Sequence, residues 1–328
     1  MSPRLNRSKV LVTGGAGFIG SHLVDALVSR GAEVIILDNL SSGKIDNISH
    51  HLRKSTVKFI KGDLLNPQDI ELAVNDCEIV FHLAANPDVR EGSSNPQSHF
   101  NQNVVATYNL LEVLRRKSEV RVLAFTSSST VYGEAPTPTP EDCGELKPIS
   151  VYGATKLACE ALISAYAHSY GFRAVIYRLA NIIGSRSTHG VIVDFIKKLS
   201  KNPNELEILG DGTQKKSYLH VSDCIDAMLL AIEKISNEVE IFNIGSEDQV
   251  DVLTIAKIVV GEMGLKDVKF RLTGGVDGGR GWVGDVKNML LDVSRMKKLG
   301  WKPRYNSLEA VRQTVKEILG RQETASRP

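Results

Sequence analysis

Tyr152 and Lys156 stand four residues apart in a stretch of helical pattern, so both project from one face of a helix. An ammonium beside a phenol favours the phenolate and lowers the phenol pKa toward neutrality. A phenolate held in that way is a general base that can take the proton from a hydroxyl. Thr126-Ser127-Ser128-Ser129-Thr130 ends the apolar run Val122–Phe125, and a hydroxyl there would hydrogen-bond the reacting oxygen beside Tyr152. A tyrosine and a lysine on one helix face also describe an ordinary solvated surface, and a serine run also describes a polar turn. The residues upstream decide between these readings.

Thr13-Gly14-Gly15-Ala16-Gly17-Phe18-Ile19-Gly20 lies between the apolar run Lys9–Thr13 and an amphipathic stretch, Gly20–Arg30. Gly14, Gly17 and Gly20 recur every third residue. Such glycines permit a tight turn, admit a pyrophosphate to the backbone amides, and let a helix pack closely on a strand. The helix N-terminus then offers its unpaired N–H groups to the phosphates. Asp38 closes the second apolar run, Val34–Leu37, where a carboxylate accepts hydrogen bonds from ribose hydroxyls and repels a 2′-phosphate. No arginine occurs within Asn39–Ser42, which favours NAD over NADP; the alternative is an ordinary turn acid in Asp38-Asn39. Gly62-Asp63-Leu64 suits a cover for the adenine, although Asp63 also reads as a cap for a helix over Pro67–Val74. A positive nicotinamide would add to the effect of Lys156 on Tyr152.

The elements that must carry these groups alternate. Apolar runs at Lys9–Thr13, Val34–Leu37, Val57–Ile60, Ile79–Leu83, Val122–Thr126 and Ala174–Tyr177 are separated by helical patterns at Gly20–Arg30, Pro67–Val74, Val104–Arg116 and Val151–His168. Near-continuous apolar strands between helices predict a parallel sheet covered on both faces, a Rossmann-type doubly wound α/β fold over residues 1–180. Residues 181–328 are punctuated by glycine and proline and read as a smaller α/β lobe, with 221–245 returning to the sheet. Helices are expected there at Val191–Ser200, Ser222–Lys234, Leu253–Met263 and Ser307–Leu319, followed by a frayed tail over Gln322–Pro328.

Composition narrows the partners. The chain has 328 residues, and 40 Lys+Arg against 38 Asp+Glu leave a net charge of +2, too small a field to gather nucleic acid or an anionic membrane. No run of about 18 apolar residues exists to span a bilayer, and Met1–Ser8 lacks the apolar core of an export signal. Cys77, Cys143, Cys159 and Cys224 are scattered without metal-ligand spacing, which predicts free thiols in a reducing cytoplasm and no metal.

These residues together resemble the extended short-chain dehydrogenase/reductase superfamily, and most closely its UDP-glucose (galactose) 4-epimerase-like nucleotide-sugar epimerases. The resemblance runs through TGGAGFIGSH (13–22), LDNLSSG (37–43), GDL (62–64), HLAANPDVR (82–90), NVVATYNLLE (103–112), SSSTVYG (127–133), YGATK (152–156), RLANIIG (178–184), GDGTQKKSYLHVSD (210–223), FNIG (242–245) and GDVKNMLLDVSRMKKLGWKP (284–303). It implies tightly bound NAD, contacted by Gly14, Gly17, Phe18, Ile19, Gly20, Asp38, Asn39, Ser42, Gly43, Asp63, Leu64, Leu83, Ala84, Ala85, Asn103, Tyr152 and Lys156. It implies Ser128, beside Ser129, as the hydroxyl on the sugar 4-oxygen, and Asn181 on the diphosphate of a UDP-sugar. It implies a 4-keto intermediate that turns over in the site, and a homodimer joined through helices 104–116 and 151–168. The apolar residues of those helices, such as Val104, Leu110, Leu111, Leu114, Ala158, Leu162 and Ala165, suit either a core or that interface.

Three departures bear on the substrate. Lys216-Ser217 stands where many relatives carry Arg-Asp. The Arg-x-Gly-Asp segment is shifted to Arg280-Gly281-Trp282-Val283-Gly284-Asp285, which makes Arg280 the candidate for the diphosphate, since guanidinium forks match phosphate oxygens. Met289 falls where side-chain size admits or excludes an N-acetyl group. The resemblance points to interconversion of UDP-glucose and UDP-galactose. Alternatives are another UDP-sugar epimerase, a dehydratase or decarboxylase, and a non-catalytic dinucleotide sensor. Dehydratases of this kind place Asp-Glu where Ser128-Ser129 stands, and an acid sugar would need an arginine such as Arg90 or Arg186.

Overall fold

The apolar runs become the strands of one sheet. In the computed structural model, which describes residues 5–325, β1 (Lys9–Thr13), β2 (Glu33–Asp38), β3 (Val57–Lys61), β4 (Ile79–His82), β5 (Val122–Ser128) and β6 (Arg173–Leu179) follow in chain order. Parts of the N-terminal segment and the tail read above, Met1–Arg4 and Ser326–Pro328, lie outside the described residues. Between the strands come α1 (Phe18–Ser29), α2 (Pro67–Val74), two single turns α3 (Glu91–Ser94) and α4 (Pro96–His99), then α5 (Ala106–Leu114) and α6 (Val151–Tyr170). Strands β1, β4, β5 and β6 bury nearly every residue, because helices cover both faces.

The remaining elements are β7 (Asn181–Ile183), α7 (Val191–Lys201), β8 (Glu205–Ile208), β9 (Lys215–Lys216), β10 (Tyr218–His220), α8 (Val221–Lys234), β11 (Val239–Ile244), β12 (Val250–Asp251), α9 (Val252–Glu262), β13 (Lys269–Leu272), β14 (Asn288–Met289), α10 (Ser294–Lys298) and α11 (Ser307–Ala325). The main sheet has seven strands in the order β11-β6-β5-β4-β1-β2-β3, all parallel. It is the doubly wound, Rossmann-type arrangement. Chain direction across the sheet reverses between β1 and β4, and ligands of such sheets bind beyond the strand ends at that switch point. After β6 the chain builds short paired strands, β7 with β10, β9 between β12 and β14, and β8 with β13. Phe195, Leu206, Ile255, Val311 and their neighbours form a separate apolar cluster under this part.

One helical stretch begins earlier than its apolar pattern suggested. Val104–Arg116 was the expected span, but helical backbone starts at Pro96, where the Asn95 side chain accepts from Ser98 N. It passes through a π-helical segment, Phe100–Val105, before α5. Proline at the first helical position and an asparagine cap drive this start, while the polar run from Gln97 to Asn103 hides it from periodicity. Leu110, Leu111 and Leu114 go to the core, whereas Phe100 (54% exposed) and Tyr108 (45%) face outward.

Candidate active site

The glycine loop is built by close approach. Gly14 has φ +68°, and a Cβ on it would lie 2.8 Å from the Ala84 backbone at the end of β4. A Cβ on Gly20 would lie 2.1 Å from Gly14 O. The loop therefore folds flat against the switch point, with Gly14 N donating to Leu37 O. Helix α1 begins at Gly17 with no side-chain cap and no acidic residue in its first turn. Its leading N–H groups and partial positive charge are left for an anion. Asp38 closes the ribose side: its carboxylate accepts from Ala16 N and Leu40 N, while burial raises its pKa above the ordinary carboxylate value. Gly43 packs beneath it, where a Cβ would meet both carboxylate oxygens at 2.9 Å. Asn39 donates to Asp63, joining the expected ribose and adenine residues. A cradle that any Cβ would fill, an open helix terminus and a ribose-side carboxylate fit a dinucleotide.

One cavity of about 500 Å³ begins at this loop. Gly14, Gly17, Phe18, Ile19, Gly20 and Asp38 line its first part, and Asn39, Ser42, Asp63, Leu64, Leu83, Ala84 and Ala85 complete that part. Ser128, Ser129, Tyr152 and Lys156 line the middle, and Asn181, Lys216 and Met289 the wall contributed by the chain after β6. Gly43 and Asn103 are not on the lining. Asn103 lies behind it, where the π-helical turn aims its amide inward to accept from Asn86 N and donate to Thr155 Oγ1.

At the centre, Ser150 caps α6 by accepting from Gly153 N, which sets Tyr152 and Lys156 on the turn facing β5. Lys156 is buried and donates from Nζ to Thr126 O at 2.9 Å. Its ammonium lies 5.8 Å from the centroid of the Tyr152 ring, against its face. The expected lowering of the phenol by this lysine is not what dominates here. Burial pushes Tyr152 up to about 12, with the Ser128 hydroxyl drawing it the other way. Burial also brings Lys156 down to about 8. Ser128 itself accepts from Thr130 N and Thr130 Oγ1.

Arg280 is not on the cavity. A glycine-rich turn with Gly274, Gly275, Gly278 and Gly279 all at positive φ bends residues 274–280 back on themselves, and Arg280 pairs outward with Glu134 at 2.5 Å. Trp282 enters the cavity wall instead, a residue that loop sequence gave no reason to select. Lys216 Nζ and the Arg90 guanidinium lie 5.4 and 5.8 Å from its ring centroid, and its indole nitrogen is buried with no hydrogen-bond partner. Lys216 also pairs with the buried Asp285 at 2.5 Å. Arg90 and Arg186 both line the cavity, each beside a carboxylate, Asp88 and Asp25. Asp25 is also the partner of His50 and His51, a convergence of metal-type donors whose carboxylate Arg186 already neutralises.

A dinucleotide cradle beside a half-buried Ser128–Tyr152 pair backed by the buried Lys156, opening on a cationic wall, defines a dinucleotide-dependent enzyme acting on a hydroxyl of an anionic substrate. The model of the NAD dependent epimerase/dehydratase family matches residues 10–245. A putative UDP-glucose 4-epimerase of Methanocaldococcus jannaschii is 35% identical over 93% of this chain and 97% of its own. A crystal structure of a UDP-galactose 4-epimerase is 45% identical, with a TM-score of 0.84 over 96% of this chain and 99% of that one. The UDP-glucuronic acid 4-epimerase from Bacillus cereus, in complex with UDP-glucuronic acid and NAD, is 30% identical, with a TM-score of 0.86 over 95% and 99%. The chain belongs to the NAD dependent epimerase/dehydratase family, as an isomerase of the UDP-sugar 4-epimerase type that uses NAD.

Proposed function

We propose that the protein interconverts UDP-glucose and UDP-galactose, with NAD retained through the cycle. The observation that carries this reading is the Ser128–Tyr152–Lys156 centre sharing one cavity with the glycine loop, with no Asp-Glu pair after Ser128. Bound NAD supplies a two-electron acceptor that is restored each cycle, and a positive charge that favours the phenolate. Tyr152 takes the proton from the sugar 4-hydroxyl and returns it after the 4-keto sugar has turned over. Ser128 orients that oxygen. Lys156 holds the cofactor ribose and adds positive charge beside the phenol. Asn181 and Lys216 hold the diphosphate, and Met289, buried at the cavity wall, bounds the hexose. Residues 1–180 serve as the NAD-binding domain, with 221–245 completing its sheet, and 181–328 as the nucleotide-sugar lobe.

The outward-facing Phe100 and Tyr108, beside α6, support a homodimer across these helices. Four free cysteines support a cytoplasmic setting. Among the described residues, no helix is long and apolar enough to cross a membrane. The test is a panel of UDP-hexoses and UDP-glucuronate incubated with the purified protein without added NAD, products followed by NMR. Interconversion of UDP-glucose and UDP-galactose is expected. Turnover of the acid sugar alone, for which Arg90 and Arg186 would be the recognising cations, overturns the assignment of the hexose.

A further inference from the structure

Glu160 and Arg178 form an ion pair directly behind the reacting groups, with side chains only 5% and 3% exposed. Glu160 follows Lys156 by one turn of α6, so both face β5. Arg178, on β6, donates to the Glu160 carboxylate from Nε at 3.1 and 3.2 Å and from Nη2 at 2.7 Å. Its remaining arm, Nη1, reaches Tyr132 Oη at 2.9 Å and Glu141 O at 3.0 Å, and Tyr132 Oη donates to Asn243 on β11 at 2.7 Å. The Ser127 hydroxyl donates to Glu160 as well.

Desolvation makes such a pair a poor source of stability, and apolar residues of similar volume would hold the core as well. Its effect on geometry is more specific. Three consecutive residues of β5 each meet one residue of α6: Thr126 O accepts from Lys156, Ser127 donates to Glu160, and the Ser128 hydroxyl meets Tyr152. Without the middle contact, the only hydrogen bonds between this strand end and the helix, among the described residues, would run through the reacting groups, beside the apolar packing of Phe125 against Cys159 and Ile163.

We propose that the Glu160–Arg178 pair is a positioning element that locks α6 against the end of β5 and keeps Lys156 charged for the reaction. The proposal rests on the reading of Tyr152, Lys156 and Ser128 as the reacting centre. The titratable and charged groups around Lys156 are Tyr152, Cys159 and Glu160 on its own helix, His82 on β4, and Arg178 behind Glu160. His99 on α4 stands edge-on to Tyr152. Of these, Cys159 and then the Glu160 charge work against the burial that lowers Lys156. Loss of that charge releases the lysine proton at lower pH, and the unneutralised Arg178 acts in the same direction.

The test is Glu160→Gln in the full-length, NAD-loaded protein, which keeps an acceptor for Ser127 and removes the charge. The kcat for the UDP-hexose at neutral pH is expected to fall by about tenfold or more, since small misplacements of reacting groups are costly. The alkaline limb of the rate profile is expected to move down by about half a pH unit or more. An unmoved limb overturns the proposal, whatever happens to the rate. Should Glu160→Gln fail to fold, the double variant Glu160→Leu/Arg178→Met removes both charges and orphans neither; a wild-type limb there overturns the proposal equally. An NMR titration of the Lys156 ammonium needs no turnover. A wild-type protein that converts no UDP-hexose therefore refutes the functional reading, while an unmoved Lys156 midpoint in Glu160→Gln refutes the pair's role.

Discussion

Gly20→Ala sets a gain in local propensity against a collision, and the structure says which wins. Alanine is favoured over glycine within a helix by about 1 kcal/mol, and Gly20 lies in the first turn of α1. Its new methyl would lie 2.1 Å from Gly14 O and 2.8 Å from Gly15 Cα. Non-bonded atoms settle near about 3.5 Å, so the loop and helix must part by about 1 Å or more. Overpacking of that kind costs about 1–3 kcal/mol, which leaves a net loss of up to about 2 kcal/mol after the propensity gain. For a chain of this size the melting temperature should drop by up to about 4 °C.

The larger effect should be on the cofactor. The amides of Gly14 to Ile19 would leave the positions that match a pyrophosphate, and each lost hydrogen bond to a charged oxygen is worth about 1.5–3 kcal/mol. NAD affinity should fall by about 10–100-fold. Gly261→Ala is the control: it too lies in a helix, α9, but nothing stands within 4 Å of the added methyl. It should raise the melting temperature by about 2 °C. The assays are calorimetry and measurement of NAD released from the purified proteins on denaturation. A Gly20→Ala protein that melts above wild type and retains its NAD would refute the argument that the loop is closed by atomic contact.

Tyr152→Phe should lower epimerase turnover by about 10²–10⁴-fold while NAD content stays at the wild-type level, which a bound-cofactor measurement beside the rate assay decides. Turnover should decline as pH rises through about 8, because Lys156 there loses its proton; stability should run the other way. The lysine's folded value lies below its ordinary 10.5, so between the two the unfolded chain binds more protons, and this residue's contribution to stability grows with pH. Melting curves and rates of wild type and Lys156→Met from pH 7 to 10 check both signs. Trp282→Ala should weaken UDP binding by about tenfold by calorimetry, since it removes the ring that holds Lys216 and Arg90 in the cavity wall. Arg280→Ala, which removes a pair with Glu134 and a hydrogen bond to Asp277 O, both away from the cavity, should change it by less than about twofold.

The first βαβ unit is legible because its signals are physical necessities. A parallel strand buried on both faces must be almost wholly apolar, and a helix that closes on Gly14 O must carry glycine at position 20. The Tyr152–Lys156 spacing is legible for a similar reason, since one helix turn fixes which residues share a face. What escaped has no period. Glu160 and Arg178 look like surface charges until the sheet brings them together from α6 and β6. Trp282 and Arg280 exchange sides through a turn whose course depends on positive φ at four glycines. The π-helical turn around Asn103 is likewise set by its neighbours, because its polar run carries no apolar stripe.

The grip of Thr126, Ser127 and Ser128 on Lys156, Glu160 and Tyr152 also sets what can be exchanged between related proteins. Residues 122–132 and 151–170, together with Arg178, form one transplantable block, because a single-residue insertion between Thr126 and Ser128 or between Tyr152 and Glu160 would break the matched register of the three contacts. The chain after β6 shares none of these three contacts, so chimeras that replace it while keeping that block intact are the ones in which a new specificity can be grafted onto an undisturbed reacting centre.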